Sequence, residues 1–525
     1  MGGGAGTAPE DRPFRPDVEG LRAVAILLVV LYHAGVPGLG GGYVGVDVFF
    51  VISGFVITGV LLRERASSGR TSILAFYGRR CRRIIPAATL VIVATVAMAY
   101  AVLGYGAGSS TATDARWAGV FLANFHFAAV GTNYLTAQQP PSPLQNFWSL
   151  AVEEQFYVVY PTLFLLLAGL RTRLGLRARL ALGLVVIIGA SLAFSVLDTA
   201  QNATGAYFSP FTRAWELALG ALVAVATPWL KRLPTAVAAA ATWAGLGAVV
   251  GAACTFTGQT AYPGWLVTVP VLGAALIVAG GARAPRLGAE ALLRLAPFRG
   301  LGRISYSLYL WHWPILIVAA EDAGKSTLSV RDNLGWIAVA LVVSIASYLL
   351  VENPVRHAAL PGRSRLVSVG LGAVLVGVTF GAIALQADVV FSPPAGAQAA
   401  TGGTGPAPSG PVPADPIRAV ERVVAAAGRI ETVPRDLVPP LSKISALSDL
   451  GFPPHASTLC FAWYPQATVP GCRFGDPDGT ETMVLYGDSH AAMWFQALDQ
   501  IAVRTHWQLV LLSKVGCPAI PLQFH

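Results

Sequence analysis

Ionisable residues stand inside apolar runs at several points of this 525-residue chain. A charged side chain at membrane depth costs roughly 2.5–3.5 kcal/mol on insertion scales, so it faces a cavity or a partner. The run EGLRAVAILLVVLYHAG holds Arg22 and His33. His carries protons near neutral pH, and Arg is the side chain best suited to hold phosphate. Eleven residues make close to three helical turns, so both lie on one face, about 16 Å apart along the axis. The spacing predicts one elongated cavity lined by both, Arg22 near its mouth and His33 deeper. The bland alternative has Arg22 snorkelling to headgroups and His33 at the interface. GGYVGVDVFFVISGF (41–55) adds Asp47 and Ser53 beside Gly45 and Gly54. Close helix contact explains the glycines but not Asp47. FWSLAVEEQFYVVYP (147–161) sets Glu153 next to Glu154. Neighbours point about 100° apart around a helix, so one faces the cavity and the other needs a separate partner. Arg79, Arg80, Arg82 and Arg83 crowd FYGRRCRRIIP (76–86). Arg213 and Glu216 have the spacing of an intrahelical ion pair, a structural role.

The elements that position these residues are membrane helices. Hydrophobic residues make up 54% of the chain and charged ones 12%, against roughly 25% charged in soluble proteins. A span needs about 20 mostly apolar residues. Eleven stretches qualify: 20–36, 44–62, 84–104, 148–170, 180–197, 211–229, 235–253, 264–281, 304–320, 334–351 and 366–387. With the N-terminus inside, the cytoplasmic segments carry 23 Lys and Arg, and the external loops before residue 388 carry only Arg116, Lys325 and Arg331. Positive-inside bias then puts the N-terminus in the cytoplasm and everything after 388 outside. The net charge of +9 reads as membrane orientation, not nucleic-acid binding. Residues 1–19 do not read as a cleavable signal peptide.

Beyond the last span, 388–440 is linker, with SPPAGAQAATGGTGPAPSGPVPADP (392–416) rich in Pro, Gly and Ala. Residues 441–525 have the composition of a soluble domain. Cys460 and Cys472 are close enough in sequence to pair, outside the cytoplasm where disulfides persist. Cys517 is then odd, and Cys81 and Cys254 call for no special role. No metal-ligand spacing occurs.

Residues 14–387 resemble acyltransferase family 3. The resemblance rests on Arg22 and His33 as R-x10-H, GVDVFFVISGF (45–55), FYGRRCRRIIP (76–86), NFWSLAVEEQFY (146–157), LGRISYSLYLWHWP (301–314) and VENPVR (351–356), in the expected order. It implies an inner-membrane O-acyltransferase moving an acyl group, acetyl by expectation, from cytoplasmic acyl-CoA to a hydroxyl of an extracytoplasmic glycan. Acyl-CoA is then a co-substrate, with no tightly bound cofactor. Under that implication Arg22, Arg79, Arg80, Arg82 and Arg83 hold the donor's phosphates. His33 is the general base, or is itself transiently acylated. Glu153 or Glu154 orients the imidazole or assists proton transfer, and Asp47 is a further candidate. Ser53, Tyr309 and His312 are weaker candidates for the acceptor path, with His312 standing equally well as a packing residue. Two other readings stay open, a carrier or flippase lined by the buried charges and a membrane-tethered esterase. A tether needs no buried ionisable residues, which counts against the last.

TETMVLYGDSHAAMWFQAL (480–498) reads as an apolar strand, a tight turn and a helix, with Ser489 and Asp488 at the turn. It resembles the first block of an SGNH (GDSL-type) hydrolase domain, with Ser489 as candidate nucleophile. The later Asn block and the D-x-x-H pair of that family do not appear before His525, so Ser489 is expected to lack its base within this chain. The expected fold is an all-α polytopic membrane protein of about eleven spans, followed by a partial α/β SGNH-type domain.

Overall fold

The computed structural model describes residues 15–131, 141–283, 285–358, 364–389, 415–427, 460–462, 468 and 471–514. Arg12, Cys517, His525 and all but the last two residues of the 392–416 linker lie outside them. Two compact units divide the chain at 392/393.

The first unit is a helical bundle. Its helices are α1 (Pro16–His33), α2 (Gly45–Ser68), α3 (Ile73–Met98), α4 (Tyr105–Gly119), α5 (Ala123–Gly131), α6 (Phe147–Gly169), α7 (Leu176–Gln201) and α8 (Ala203–Phe208). They continue as α9 (Pro210–Leu230), α10 (Thr235–Thr255), α11 (Thr268–Gly281), α12 (Glu290–Leu293), α13 (Ala296–Asp322), α14 (Val330–Ser347), α15 (Asn353–His357) and α16 (Arg365–Val389). Local chemistry starts and stops them. Pro16 opens α1 with Asp17 and Glu19 in the first turn, where a preset φ and negative charge both favour a helix start. Ser72 caps α3 by accepting from Ala75 N at 3.2 Å. Gly69 ends α2 at φ +67°, a left-handed turn that glycine adopts without a steric penalty.

Every expected span falls on a helix. Among the described residues, seven helical stretches are long and apolar enough to cross a membrane by length and composition, and the chain is a multi-pass membrane protein. The other four expected spans are α1, α9, α11 and α13. Helix α11 is short, while α1 carries Asp17, Glu19 and Arg22, α9 Arg213 and Glu216, and α13 Arg299 and Arg303. These polar helices pack against one another's neighbours, α1 along α13 and α2 along α9. Boundaries moved where polarity hid the helix. Arg79–Arg83 lie within α3, which starts at Ile73 and not at residue 84, and α13 starts eight residues before 304. The α4–α5 pair was not anticipated.

The α2–α9 crossing explains two glycines. A Cβ on Gly54 would sit 1.8 Å from the Leu217 carbonyl oxygen, and one on Gly220 would sit 1.9 Å from that of Val51. Only glycine lets these backbones approach so closely.

In the second unit, helix α17 (Pro416–Ala427) precedes a small sheet of β1 (Phe461–Ala462), β2 (Cys472–Gly475), β3 (Glu481–Gly487) and β4 (Trp507–Lys514). Strand β4 is central. It pairs in parallel with β3 and β1, and antiparallel with β2. Helices α18 (Ser489–Ala492) and α19 (Phe495–Thr505) connect β3 to β4. Cys460 and Cys472 form a disulfide. The strand–turn–helix expected around GDSH is present. Asp488 Oδ1 accepts from His490 N at 2.9 Å, capping the helix that Ser489 begins. The His490 ring lies 3.3 Å from the same oxygen, turned to Asp488.

Candidate active site

Among the described residues, two cavities of the bundle adjoin, with Tyr309 of α13 and Val46 of α2 in the lining of both. Arg22 lines one and His33 the other. They share a helix face, as the spacing requires, and Tyr309 and Val46 stand where the two cavities adjoin.

The smaller cavity, about 90 Å³, is lined by Arg22, Arg80, Arg83, Ser53, Glu153 and Tyr157 among others. Helical phase selects the arginines. Arg80 and Arg83 are three apart and face the cavity, while Arg79 and Arg82 point elsewhere. Arg79 pairs with Glu64 at 2.7 Å, and Arg82 donates to Ser368 Oγ at 3.2 Å. Neither lines the cavity. Arg22 Nε donates to Ser305 Oγ at 3.1 Å, and the Arg80 guanidinium sits 4.6 Å from the centre of the Tyr157 ring. Arg80 and Arg83 form no hydrogen bond or ion pair with a described residue. Their donors face the cavity unspent, which suits an anion able to take paired hydrogen bonds.

Of the two adjacent carboxylates, Glu153 faces this cavity. Ser53 and Tyr157 donate to its Oε1. Glu154 turns away, and its Oε1 is buried with no hydrogen-bond partner. Neither bonds to His33, so the carboxylate expected to orient the imidazole is absent from that place. Between α14 and α15, Glu352 is buried and accepts from Ser307 at 2.8 Å. The VENPVR motif carried Glu352, but nothing in its local sequence distinguished it from a solvated residue at a helix end.

The larger cavity is about 580 Å³ and contains His33. The partner of His33 is His312, which the WHWP motif had left between packing and participation. His33 Nδ1 lies 3.0 Å from His312 Nε2, and His312 Nδ1 lies 3.0 Å from the Leu308 carbonyl oxygen. A carbonyl only accepts, so neutral His312 carries its proton on Nδ1 and accepts at Nε2. His33 must then donate from Nδ1, which leaves Nε2 with a free lone pair. The hydrogens are assigned from this network of acceptors. His312 is fully buried and holds the His33 ring in the tautomer a general base needs.

Asp47 lines neither cavity. It is 1% exposed and pairs with Arg213 at 2.8 Å, while Tyr262 donates to its other oxygen. Arg213 also reaches Glu216 at 3.0 Å, the pair that the i, i+3 spacing indicated. Asp47 thus completes a buried ionic cluster. Tyr309 shares a 2.6 Å hydrogen bond with Ser149 and donates to the Asn146 carbonyl at 3.1 Å. No group of three His, Cys, Asp or Glu among the described residues converges as a metal would require.

A family model described as an acyltransferase domain matches residues 15–352, and one described as an SGNH domain fused to such domains matches 458–524. The chain is 30% identical over 368 residues to a putative peptidoglycan O-acetyltransferase of Bacillus subtilis, covering 67% of this chain and 56% of that one. It is 28% identical over 361 residues to the peptidoglycan O-acetyltransferase of Listeria monocytogenes, covering 67% and 57%. A putative membrane-bound transacylase of Komagataeibacter xylinus is 34% identical over 351 residues, 66% of this chain and 83% of that one. The chain spans somewhat more than half the length of the first two relatives. No solved structure matches. With the motifs in order and the match running from Arg15 through Glu352, the chain belongs to acyltransferase family 3 and carries an SGNH-type domain at its C-terminus.

Proposed function

We propose that the protein is an integral membrane O-acyltransferase that moves an acetyl group from acetyl-CoA to a hydroxyl of a cell-envelope glycan. The observation that carries the reading is the pair of adjoining cavities, one with unspent arginines and one with a His whose Nε2 is free. The names of the two peptidoglycan O-acetyltransferase relatives agree with the glycan acceptor.

In this reading Arg22, Arg80 and Arg83 hold donor phosphates, and the narrow cavity takes the thioester arm while the nucleotide stays outside it. The glycan hydroxyl enters the larger cavity. His33 Nε2 removes its proton as the oxygen attacks the thioester carbonyl carbon. The tetrahedral intermediate collapses with cleavage of the C–S bond, and the thiolate leaves and takes the proton back from His33. The products are the glycan ester and free CoA. His312 steadies the imidazolium through the same hydrogen bond. Positive-inside orientation puts the Arg22 end of α1 on the cytoplasmic side and the His33 end outside, which suits a cytoplasmic donor and an external acceptor.

Purified protein in proteoliposomes, given acetyl-labelled acetyl-CoA and a glycan oligosaccharide, is expected to place base-labile label on the sugar. Labelled ester that persists in His33→Ala would overturn the role of His33. Movement of glycan or acetyl-CoA without any ester would replace the enzyme by a carrier. An active alkaline phosphatase fused after residue 427 is the expected sign of orientation, and an inactive one would reverse it.

A further inference from the structure

The larger cavity has a lining unlike the rest of the bundle interior. Tyr32, Tyr43, Trp148, Tyr207, Tyr262 and Trp313 form much of it, and no Lys, Arg, Asp or Glu belongs to it among the described residues. The rings are locked against one another. Tyr43 packs edge-on to Tyr262 at 4.8 Å and to Tyr32 at 5.5 Å, and Trp148 lies 4.7 Å from Tyr207. Trp313 is fixed by its indole N–H, which donates to the Ser142 carbonyl at 2.8 Å.

The nearest charges stand behind this wall, and they are spent on each other. The Arg213 guanidinium lies 5.1 Å from the Tyr262 ring centre, 5.2 Å from Tyr207 and 5.6 Å from Trp148. Its ion-pairing capacity goes to Asp47 and Glu216. Two carboxylates share one guanidinium, so the cluster offers no positive charge to the cavity. An anion entering would lose its hydration, meet the electron-rich faces of the rings and find no counter-charge. That is discrimination by an unfavourable element, as specificity requires.

A polar group remains for a neutral ligand. The Gln145 side chain, in the cavity lining, bonds to no described residue. A side-chain amide unspent among the described residues, beside aromatic faces, matches a molecule with C–H faces and hydroxyl edges. A cavity of about 580 Å³ falls in the range that encloses a ligand of a few tens of atoms.

We propose that this cavity is a subsite for an uncharged saccharide of one to two rings, stacked on the aromatic wall, and that it rejects sugars bearing a carboxylate or phosphate. Calling that saccharide the acceptor rests on the acyl-transfer reading, while the subsite itself does not. Arg213 is a positioning residue here, a cation under three rings of the wall.

The test is equilibrium binding without acetyl-CoA, using the full chain in nanodiscs free of glycoside detergents. The probes are cellobiose and di-N-acetylchitobiose against cellobiouronic acid and cellobiose 6-phosphate, read by saturation-transfer NMR and calorimetry. At least one neutral disaccharide is expected to bind tenfold or more tighter than either anion, and Trp313→Ala and Gln145→Ala to weaken it. Equal or tighter binding of an anion, or no binding of either neutral probe, overturns the proposal. So does retention of full affinity in both variants. Selective binding without acetyl transfer once acetyl-CoA is added would end the acyl-transfer reading and leave the subsite standing.

Discussion

The two cavities border the same tyrosine, yet one gathers charge and the other expels it. Around the small cavity, Arg22, Arg80 and Arg83 face inward with few partners. Around the large one, the only ionisable groups in the lining are His33 and tyrosines. Unpaired cations are costly to hold in a bundle and persist where a ligand anion repays the cost. Asp47, Arg213 and Glu216 show the other outcome. They are as deeply buried as any group here, but they are spent on one another. Burial alone therefore did not separate ligand-facing charge from structural charge. Partnership did.

Several substitutions would break or sharpen this contrast. His33→Ala should cost the most, about 10²- to 10⁴-fold in acetyl transfer, the usual contribution of a general base. Donor binding should be retained, measured as acetyl-CoA affinity of the variant in nanodiscs. If His33→Ala also abolished donor binding, the two cavities would not be chemically separate. Joint replacement of Arg22 and Arg83 by Ala should raise the KM for acetyl-CoA on the order of 100-fold, as lost charge-assisted phosphate bonds would. The acceptor KM should stay within a factor of about two, because the removed contacts are to the donor alone. A matching rise in acceptor KM would contradict the division.

His312→Ala should lower kcat by about tenfold, in line with loss of a group that orients a working imidazole. His312→Gln should recover part of that loss and shift the pH–rate profile, because an amide oxygen can still accept from His33 Nδ1. A profile unchanged in both variants would make His312 a packing residue. The smallest effect belongs to Arg79→Ala. Its pair with Glu64 is half exposed and worth about 0–1 kcal/mol, so donor KM should move less than about twofold. A large rise would return Arg79 to the donor site.

Much of this arrangement was legible in the residues. Helix content, the position of the apolar helices and the shared face of the R-x10-H pair follow from hydropathy and a 3.6-residue period, which are local properties. The same period makes Arg80–Arg83 and Arg79–Arg82 two separate faces, although it does not say which face meets a cavity. The turn at Gly487–Ser489 and the Cys460–Cys472 pair were legible too, since both depend on neighbours in sequence.

What the sequence by itself determined is the membrane bundle, the strand–turn–helix of the C-terminal domain, and which ionisable residues are buried. Tertiary structure alone decided what those residues touch. His33 meets His312 across 279 positions, Asp47 meets Arg213 across 166 and Tyr262 across 215. No local pattern encodes such pairings, because they depend on which helices pack and at what height. The meeting of the two cavities at Tyr309 and Val46 arises in the same way, from the packing of helices far apart in the chain. One face of α1 thereby borders two environments, one fit for an anion and one for an uncharged ring.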